Sequence, residues 1–234
     1  MIKTVILAGG LGTRISEETR KIPKPMVKIG NLPIIHHIIK IYESYGYDDF
    51  IICGGYKCNI IKNYFKKAKL KSKVLVVNTG LNTMTGGRIL KIKNILKNDK
   101  EFFLTYGDGV SNVNINKLLK LHNQKKKLLT LTAVQPNLKY GIVKFAKNNL
   151  SIDKFQEKPK KHFVSGGFFV ISTKIFKYIK GPKSIFEFDC LPKLAKQKKI
   201  IGYKHMGFWH SLDTLKDKIN LNKIWNKGSA PWIK

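Results

Sequence analysis

Short apolar segments alternate with amphipathic ones through the first half of the chain, and this alternation restricts the fold more than any other feature. Strands are predicted where β-branched and aromatic residues form short runs, at residues 3–8, 50–53, 73–78 and 101–106. Helices are predicted where apolar residues recur at helical spacing, at residues 33–46, 59–66, 87–97 and 114–123. Strands joined by helices in this way are expected to form a parallel sheet through right-handed crossovers.

The pattern becomes richer in strands after residue 125. Strands are predicted at residues 128–135, 141–145, 167–171 and 200–205, and helices at residues 173–179, 186–196 and 214–225. The closely spaced strands indicate an antiparallel extension, so we predict a three-layer α/β/α fold with a mixed, mainly parallel sheet. The chain contains no linker-like or repetitive segment, so residues 1–234 are predicted to form a single domain.

A glycine-rich turn, Gly9-Gly10-Leu11-Gly12-Thr13-Arg14, follows the first predicted strand. Glycines let backbone N–H groups approach a phosphate chain closely, and a guanidinium such as that of Arg14 can hold phosphate with two hydrogen bonds. The segment is not a Walker loop, because no Gly-Lys-Ser/Thr follows, and Ile15 occupies the third glycine of the dinucleotide fingerprint. An ordinary tight turn explains the glycines equally well at this stage.

Two charged residues stand out in loops beside this turn. Lys24 lies between Pro23 and Pro25, a rigid setting that suits a lysine aimed at phosphate. Asp108 follows the strand at residues 101–106 and is also typical of a turn-forming aspartate. Ligands of such sheets bind at the carboxyl ends of the strands, and both Asp108 and the glycine-rich turn are predicted to lie there.

The formal net charge of +31 raises the question of a nucleic-acid partner. The basic residues are almost all lysine, because the only arginines are Arg14, Arg20 and Arg88. The lysines are scattered along the predicted helices, which indicates a solvated surface and no nucleic-acid partner. Arg14 and Arg88 are the exceptions, since both follow glycine-rich segments where a guanidinium could hold phosphate.

The sequence shows neither a signal peptide pattern nor an apolar run as long as a membrane-spanning helix. Its three cysteines have an irregular spacing that fits reduced thiols. We therefore expect a cytoplasmic protein without a membrane partner.

Six blocks along the chain, in the same order, resemble the sugar-phosphate nucleotidylyltransferase family and within it the glucose-1-phosphate cytidylyltransferases. They are LAGGLGTR with IPKPM (7–14 and 22–26), NTG with TMTGGR (78–80 and 83–88), TYGDGVS (105–111), FQEKPK (155–160), GGFFV (166–170), and GFW with LDTL (207–209 and 212–215). The resemblance covers essentially the whole chain. It implies a Rossmann-like nucleotidyltransferase fold of the GT-A type.

The resemblance also implies a reaction, and it assigns nucleotide and sugar phosphate to different parts of the chain. CTP and a sugar 1-phosphate, with α-D-glucose 1-phosphate as the first expectation, would give a CDP-sugar and pyrophosphate by direct in-line displacement. Nucleotide would bind in the half at about residues 1–125, and sugar phosphate in the half at about 126–234. Mg²⁺ would be the cofactor, held by Asp108 and Asp213, and would stabilise the charge that develops between the phosphates. A residue such as Asp213 could otherwise be a helix cap beside Thr214.

The family's functional positions map onto this chain as follows. The catalytic set would be Arg14, Lys24, Asp108 and Lys158. The nucleotide would contact Leu7, Ala8, Gly9, Gly10, Gly12, Thr13, Arg14, Lys24, Thr85, Gly86, Arg88 and Gly107, with residues 85–88 reading the base. The sugar phosphate would contact Gly141, Glu157, Lys158, Ser165, Gly166 and Trp209.

Two departures from the family pattern leave parts of this prediction open. Ser165 stands where the family usually has asparagine, beside the sugar. The segment between the helix at 59–66 and the strand at 73–78 is unusually short. The acceptor sugar, the base preference, the pathway and the formation of a homo-oligomer therefore stay open. Guanylyl or uridylyl transfer to another hexose or heptose phosphate, and a non-catalytic nucleotide-binding relative, are the alternatives.

Overall fold

A computed structural model of the chain describes residues 2–136, 141–146, 150–157 and 162–233. The strands in these residues are β1 (Thr4–Ala8), β2 (Lys28–Ile29), β3 (Leu32–Pro33), β4 (Asp49–Gly54), β5 (Lys73–Asn78), β6 (Glu101–Tyr106), β7 (Gly109–Ser111), β8 (Leu129–Val134), β9 (Ile142–Phe145), β10 (Ile152–Gln156), β11 (Val164–Ser172), β12 (Ile200–His205) and β13 (Trp209–Ser211). The α-helices are α1 (Ser16–Thr19), α2 (Ile34–Glu43), α3 (Cys58–Lys67), α4 (Thr85–Lys91), α5 (Ile115–Lys125), α6 (Leu191–Lys196) and α7 (Leu215–Asn226).

A seven-stranded sheet forms the centre of the described residues, in the order β12-β8-β11-β6-β1-β4-β5. Strands β1, β4, β5 and β6 are parallel neighbours, and β12 is parallel to β8. Strand β11 runs antiparallel to both β6 and β8. The predicted mixed, mainly parallel sheet is therefore confirmed, and its strands come from both halves of the chain.

Hydrophobic cores cover both faces of this sheet. In β1, Ile6 and Ala8 pack with α2, α5 and α7 on one face, while Val5 and Leu7 pack with α4 and α6 on the other. The alternation follows from the two-residue period of a strand. The prediction of three layers is confirmed. That residues 1–234 form a single domain stays a prediction.

Several predicted elements have different bounds in the structure. The helix predicted at 87–97 is α4, which begins at Thr85 and ends at Lys91. The segment predicted at 173–179 is a 3₁₀ helix (Thr173–Tyr178), and the one at 186–196 begins with a π turn (Phe186–Cys190) before α6. These short segments follow tertiary contacts more than their own periodicity, since Gly86 and Gly87 fit closely against the backbone of Ser184 and Pro182.

No helix in the described parts of the chain is both long enough and apolar enough to cross a bilayer.

Candidate active site

The two aspartates predicted to share one metal lie beside each other, although they are far apart in the chain. Asp108 directly precedes β7, and Asp213 follows β13. These strands pair antiparallel with Ser211 opposite Gly109, and the Leu212 N–H donates to the Asp108 carbonyl at 2.8 Å. This short ladder brings both carboxylates to the carboxyl end of β6. The convergence that the resemblance implies is thus present in the structure.

Lys24 connects the two carboxylates. Its Nζ lies 2.5 Å from Asp108 Oδ2 and 2.8 Å from Asp213 Oδ1. The lysine begins a 3₁₀ turn between Pro23 and Pro25, so its backbone is tightly constrained. Two of the three ammonium donors are therefore used by aspartates, and one remains for a phosphate oxygen.

Arg14 completes this charged cluster from the exposed side. Its Nη2 lies 3.0 Å from Asp213 Oδ1, and its side chain is 73% exposed. The Asp213 carboxylate also accepts a hydrogen bond from the Ser211 hydroxyl at 2.8 Å. The exposed guanidinium therefore lies at the mouth of the site, where its remaining N–H groups can bind an anion.

The electrostatics of the cluster favour the charged forms of Lys24 and Asp213. Burial alone would lower the pKa of Lys24, but the carboxylates of Asp108 and Asp213 raise it above its ordinary value. Burial alone would raise the pKa of Asp213, but hydrogen bonding and charge from Lys24, then Ser211 and Arg14, hold it below its ordinary value. A pKa below the usual carboxylate range leaves Asp213 ionised at neutral pH.

The donor set at this point fits Mg²⁺. The cation prefers carboxylate oxygens and commonly takes one or two of them, completing its shell with substrate phosphates and water. Asp108 and Asp213 supply two carboxylates within reach of one ammonium group. In the described residues no cluster of three histidine, cysteine or carboxylate side chains offers a fuller protein cage. The site therefore suits a metal that also binds the substrate.

The glycine-rich turn lies next to this cluster, after β1. Gly12 has a φ of 68°, a left-handed conformation that favours glycine, and its carbonyl accepts from the Thr19 hydroxyl at 3.0 Å. Gly10 has open space where a side chain would stand. The backbone N–H groups of residues 10–13 donate no hydrogen bond within the described chain. Four such consecutive donors suit a phosphate chain.

Arg88 lies inside the protein and does not present its guanidinium to a ligand. It is 4% exposed and donates to the carbonyls of Gly9, Gly54 and Gly80 at 2.9–3.1 Å, and to the Thr79 hydroxyl at 2.6 Å. These internal partners speak against a phosphate grip by the guanidinium, and contact of Arg88 with the base stays a prediction. Its donors are used to join the carboxyl ends of β1, β4 and β5, which fixes the glycine-rich turn.

The other residues predicted to bind the nucleotide lie at the ends of β1 and β6 and at the start of α4. Leu7 and Ala8 end β1, and the Gly107 N–H donates to the Leu7 carbonyl at 2.9 Å. Thr85 and Gly86 form the first turn of α4. Leu7, Ala8 and Gly107 thus lie beside the glycine-rich turn, whereas Thr85 and Gly86 contact Glu187 and Ser184. Contact of these residues with a base or ribose stays a prediction.

A cavity of about 300 Å³ opens beside Asp108, Asp213 and Arg14. Ser165, Gly166 and Trp209, all predicted to contact the sugar, line it. The Trp209 Nε1–H donates to the Gly166 carbonyl at 2.8 Å, so the indole is fixed against this wall. Three of the residues predicted to contact the sugar thus share one cavity with the predicted metal pair.

A bulge in β11 shapes this wall. The pairing of β11 with β8 shifts register between Ser165 and Phe169, and Gly167 has a φ of 78°. A Cβ on Gly167 would meet the Tyr106 ring at 2.5 Å, and one on Gly166 would meet Val134 at 2.8 Å. The two glycines therefore allow close packing of the protein as well as an irregular strand beside the cavity.

Two further residues predicted to contact the sugar, Gly141 and Glu157, flank the β9–β10 hairpin. A Cβ on Gly141 would meet the Phe155 ring at 2.7 Å and Glu157 Oε2 at 2.9 Å, so Gly141 and Glu157 are neighbours. Neither is part of the cavity lining. Lys158, predicted to hold the sugar phosphate, lies outside the described residues. The sugar contacts of these residues stay predictions.

One acidic residue of the cavity, Glu187, was not among the residues predicted from the sequence. Glu187 lines the cavity, and its carboxylate accepts hydrogen bonds from the hydroxyls of Tyr106 and Thr85. It lies in the π turn at residues 186–190, a conformation that is rare and frequent at functional sites. The sequence offered one signal, an acidic residue within an apolar stretch of a strongly basic chain.

Comparisons with known proteins agree with this geometry. A family model described as nucleotidyl transferase matches residues 3–225. Glucose-1-phosphate cytidylyltransferase of Salmonella typhimurium (strain LT2) is 40% identical over 99% of this chain and 98% of its own length. Probable glucose-1-phosphate cytidylyltransferase of Bacillus subtilis (strain 168) is 38% identical over 99% of both chains.

Solved structures share the fold at lower identity. HddC from Yersinia pseudotuberculosis complexed with GMP-PN has a TM-score of 0.76 at 24% identity, over 96% of this chain and 100% of its own. UDP-glucose pyrophosphorylase complexed with UDP-glucose has a TM-score of 0.74 at 20% identity, over 97% of this chain and 100% of its own. These likenesses support the nucleotidyltransferase architecture.

Proposed function

The chain belongs to the nucleotidyl transferase family, and within it to the glucose-1-phosphate cytidylyltransferases; from this premise we propose that it converts CTP and α-D-glucose 1-phosphate to CDP-glucose and pyrophosphate. It is a nucleotidyltransferase that acts on a nucleoside triphosphate and a sugar 1-phosphate. The choice of CTP and of glucose is the part that we propose, and it follows the relatives of 38–40% identity.

One observation carries the proposal: Arg14, Asp108 and Asp213 line a single cavity beside the glycine-rich turn, and the buried Lys24 joins the two aspartates. Phosphoryl and nucleotidyl transfer require positioning and charge stabilisation more than covalent chemistry by the protein. The oxygen of the sugar 1-phosphate is already anionic, so no protein nucleophile is needed. Two carboxylates and two cations at one point fit such a displacement.

On the nucleotide side, the unpaired N–H groups of residues 10–13 would bind the triphosphate. Arg14, exposed at the mouth, would hold the pyrophosphate as it leaves. Lys24 would direct its third N–H to a phosphate oxygen while it keeps both aspartates in place. The first turn of α4, at Thr85 and Gly86, would lie against the cytidine.

On the acceptor side, Ser165, Gly166 and Trp209 would form the sugar wall, with Glu157 bonding hydroxyls and Lys158 holding the phosphate. Asp108 and Asp213 would hold Mg²⁺. When bound there, Mg²⁺ supplies charge neutralisation between the two phosphate groups and stabilisation of the charge that develops during transfer.

The test is a matrix of CTP, UTP, GTP, ATP and dTTP against several sugar 1-phosphates, read by pyrophosphate release. We expect CTP with glucose 1-phosphate to give the highest kcat/KM. A site that hydrogen-bonds one base edge rejects others because buried polar groups stay unpaired. Asp213→Asn serves as the inactive control. Equal kcat/KM with GTP or UTP contradicts the base, and a better sugar 1-phosphate contradicts the acceptor.

A further inference from the structure

Glu187 is an acidic side chain in the substrate cavity that the reaction outlined above does not use. Its Oε2 accepts from the Thr85 hydroxyl at 2.6 Å, and its Oε1 accepts from the Tyr106 hydroxyl. Thr85 Oγ1 in turn accepts from the Phe186 N–H at 2.9 Å. The carboxylate is therefore held by two different elements, the end of β6 and the start of α4, and its position is fixed before any ligand binds.

The charge of Glu187 is unusual for its place. Asp108 and Asp213 lie beside Lys24 and Arg14, whereas no salt bridge involves Glu187 among the residues that the structure describes. The cavity receives two anionic substrates, and an uncompensated carboxylate repels them. Acidic residues are scarce in this chain, which has 14 of them against 45 lysines and arginines. A carboxylate in a cavity that binds anions therefore needs a specific explanation. Because Glu187 has no cation partner among the described residues, its carboxylate suits this wall if a neutral hydrogen-bond donor of the ligand faces it.

Both hydroxyls that hold Glu187 act as donors. The Thr85 hydroxyl donates to Glu187 Oε2, and the Tyr106 hydroxyl donates to Glu187 Oε1. Each carboxylate oxygen has lone-pair capacity for a second hydrogen bond. Because an ionised carboxylate only accepts, the ligand group opposite must be a donor, and the hydroxyls of a sugar ring are such donors.

We propose that Glu187 is a specificity-determining residue, which accepts hydrogen bonds from ring hydroxyls of the sugar 1-phosphate. The placement supports it, because Ser165, Gly166 and Trp209 line the same cavity. This inference rests on the proposed function, since it assumes that the sugar occupies this cavity.

The test compares wild type, Glu187→Gln and Asp189→Asn with glucose 1-phosphate and its 2-, 3-, 4- and 6-deoxy analogues. Asp189 is the matched control: it lies in the same turn, and its carboxylate accepts from the Ile185 N–H at 2.6 Å, outside the cavity. Losing a hydrogen bond to a charged group lowers kcat/KM about 10- to 100-fold. We expect this loss in Glu187→Gln for glucose 1-phosphate, with KM for CTP nearly unchanged and the control close to wild type.

The deoxy analogues separate a contact from a structural role. In wild type, at least one analogue should lose about the same factor, and Glu187→Gln should no longer distinguish that analogue from glucose 1-phosphate. Equal discrimination in both proteins, or a loss confined to CTP, overturns the inference. If Glu187→Gln does not fold, Glu187→Asp keeps the charge but shortens the reach, and it must change the same discrimination.

Pyrophosphate release by the wild-type protein alone tests the proposed function, independently of the Glu187 variants. If wild type releases no pyrophosphate from CTP and glucose 1-phosphate, the comparison is made with the nucleotide and sugar 1-phosphate that it accepts. The inference about Glu187 then stands or falls on the deoxy analogues of that sugar.

Discussion

Lys24 is the residue on which the charge balance of the site depends. A buried ammonium needs nearby anions, and two carboxylates that converge need a nearby cation. Lys24, Asp108 and Asp213 satisfy one another at 2.5 and 2.8 Å. The proline-framed loop was predicted to aim Lys24 at phosphate, and the structure adds that the lysine also holds the two proposed metal ligands together.

The first prediction concerns those two ligands. Asp213→Asn and Asp108→Asn should each lower kcat by roughly two or more orders of magnitude, because each removes a charge worth several kcal/mol of transition-state stabilisation. Since both act through one ion, the double variant should be hardly worse than either single variant. Pyrophosphate release at saturating Mg²⁺ measures the effect, and circular dichroism confirms the fold. Near wild-type turnover in either single variant removes that residue from the metal site.

The second prediction concerns Arg14 and Arg88, to which the sequence analysis gave the same phosphate-binding role. Arg88→Met should destabilise the protein by about 3 kcal/mol or more, because it leaves several buried carbonyls without donors. Arg14→Met should change the free energy of unfolding by less than about 0.5 kcal/mol, as is usual for exposed positions, but should strongly reduce turnover. Urea unfolding and pyrophosphate release on both variants give the comparison. A stable Arg88→Met with a raised KM for CTP alone contradicts the structural role.

At the scale of elements, the β7–β13 ladder and α7 together fix Asp213. Thr214 is the N-cap of α7, with a full capping box: its hydroxyl accepts from the Asp217 N–H, and the Asp217 carboxylate accepts from the Thr214 N–H at 2.8 Å. The Asp213 N–H also donates to Asp217 Oδ2, at 3.1 Å. Thr214 is therefore the cap, and the Asp213 side chain is left to face Lys24.

The third prediction follows from this division of roles. Thr214→Ala should lower the free energy of unfolding by about 1 kcal/mol through loss of the cap, while Thr214→Ser should stay near wild type. Urea midpoints with an unchanged m-value measure this. Asp213→Asn should change the midpoint through its lost ion pairs with Lys24 and Arg14 and should lose most pyrophosphate release, whereas Thr214→Ala should keep pyrophosphate release. Lost pyrophosphate release in Thr214→Ala, or full release in Asp213→Asn, contradicts the assignment.

Periodicity located the long elements well, because burial on a sheet face or along a helix imposes its period on the sequence. The bounds of β5, β6 and β12 are those predicted. The strands β7 and β13 have three residues each and exist through pairing between distant segments, so no local pattern marks them. Likewise, the burial of Arg88 and the place of Glu187 depend on loops that meet only in the folded chain.

At the scale of the whole molecule, the two predicted halves are interleaved. Strand β6 of the first half pairs with β11 of the second, and β11 carries Ser165 and Gly166 to the cavity beside Asp108. The site therefore depends on one sheet that both halves build. Nucleotide and sugar phosphate would meet where the parallel strands of one half adjoin the antiparallel strand of the other.

The fourth prediction concerns the net charge of +31. The scattered lysines mentioned above, such as Lys62 and Lys66 on α3, are exposed and form no patch that the cavity uses. DNA binding should therefore be non-specific, with a Kd of roughly 10⁻⁴ to 10⁻⁶ M at physiological salt, and should weaken steeply between about 50 and about 200 mM salt. Anisotropy titrations with two unrelated duplexes should give the same affinity, because phosphate contacts carry no base information.

A charge-reversal pair provides the control for this argument. The double variant Lys62→Glu/Lys66→Glu should bind DNA more weakly than wild type. Its affinity should also depend less steeply on salt, since fewer counterions are released. Turnover should be unchanged, because α3 contributes nothing to the cavity lining. Tight binding at physiological salt that prefers one duplex, or loss of pyrophosphate release when DNA is added, would mean that the lysines serve a nucleic-acid partner and are more than a solvated surface.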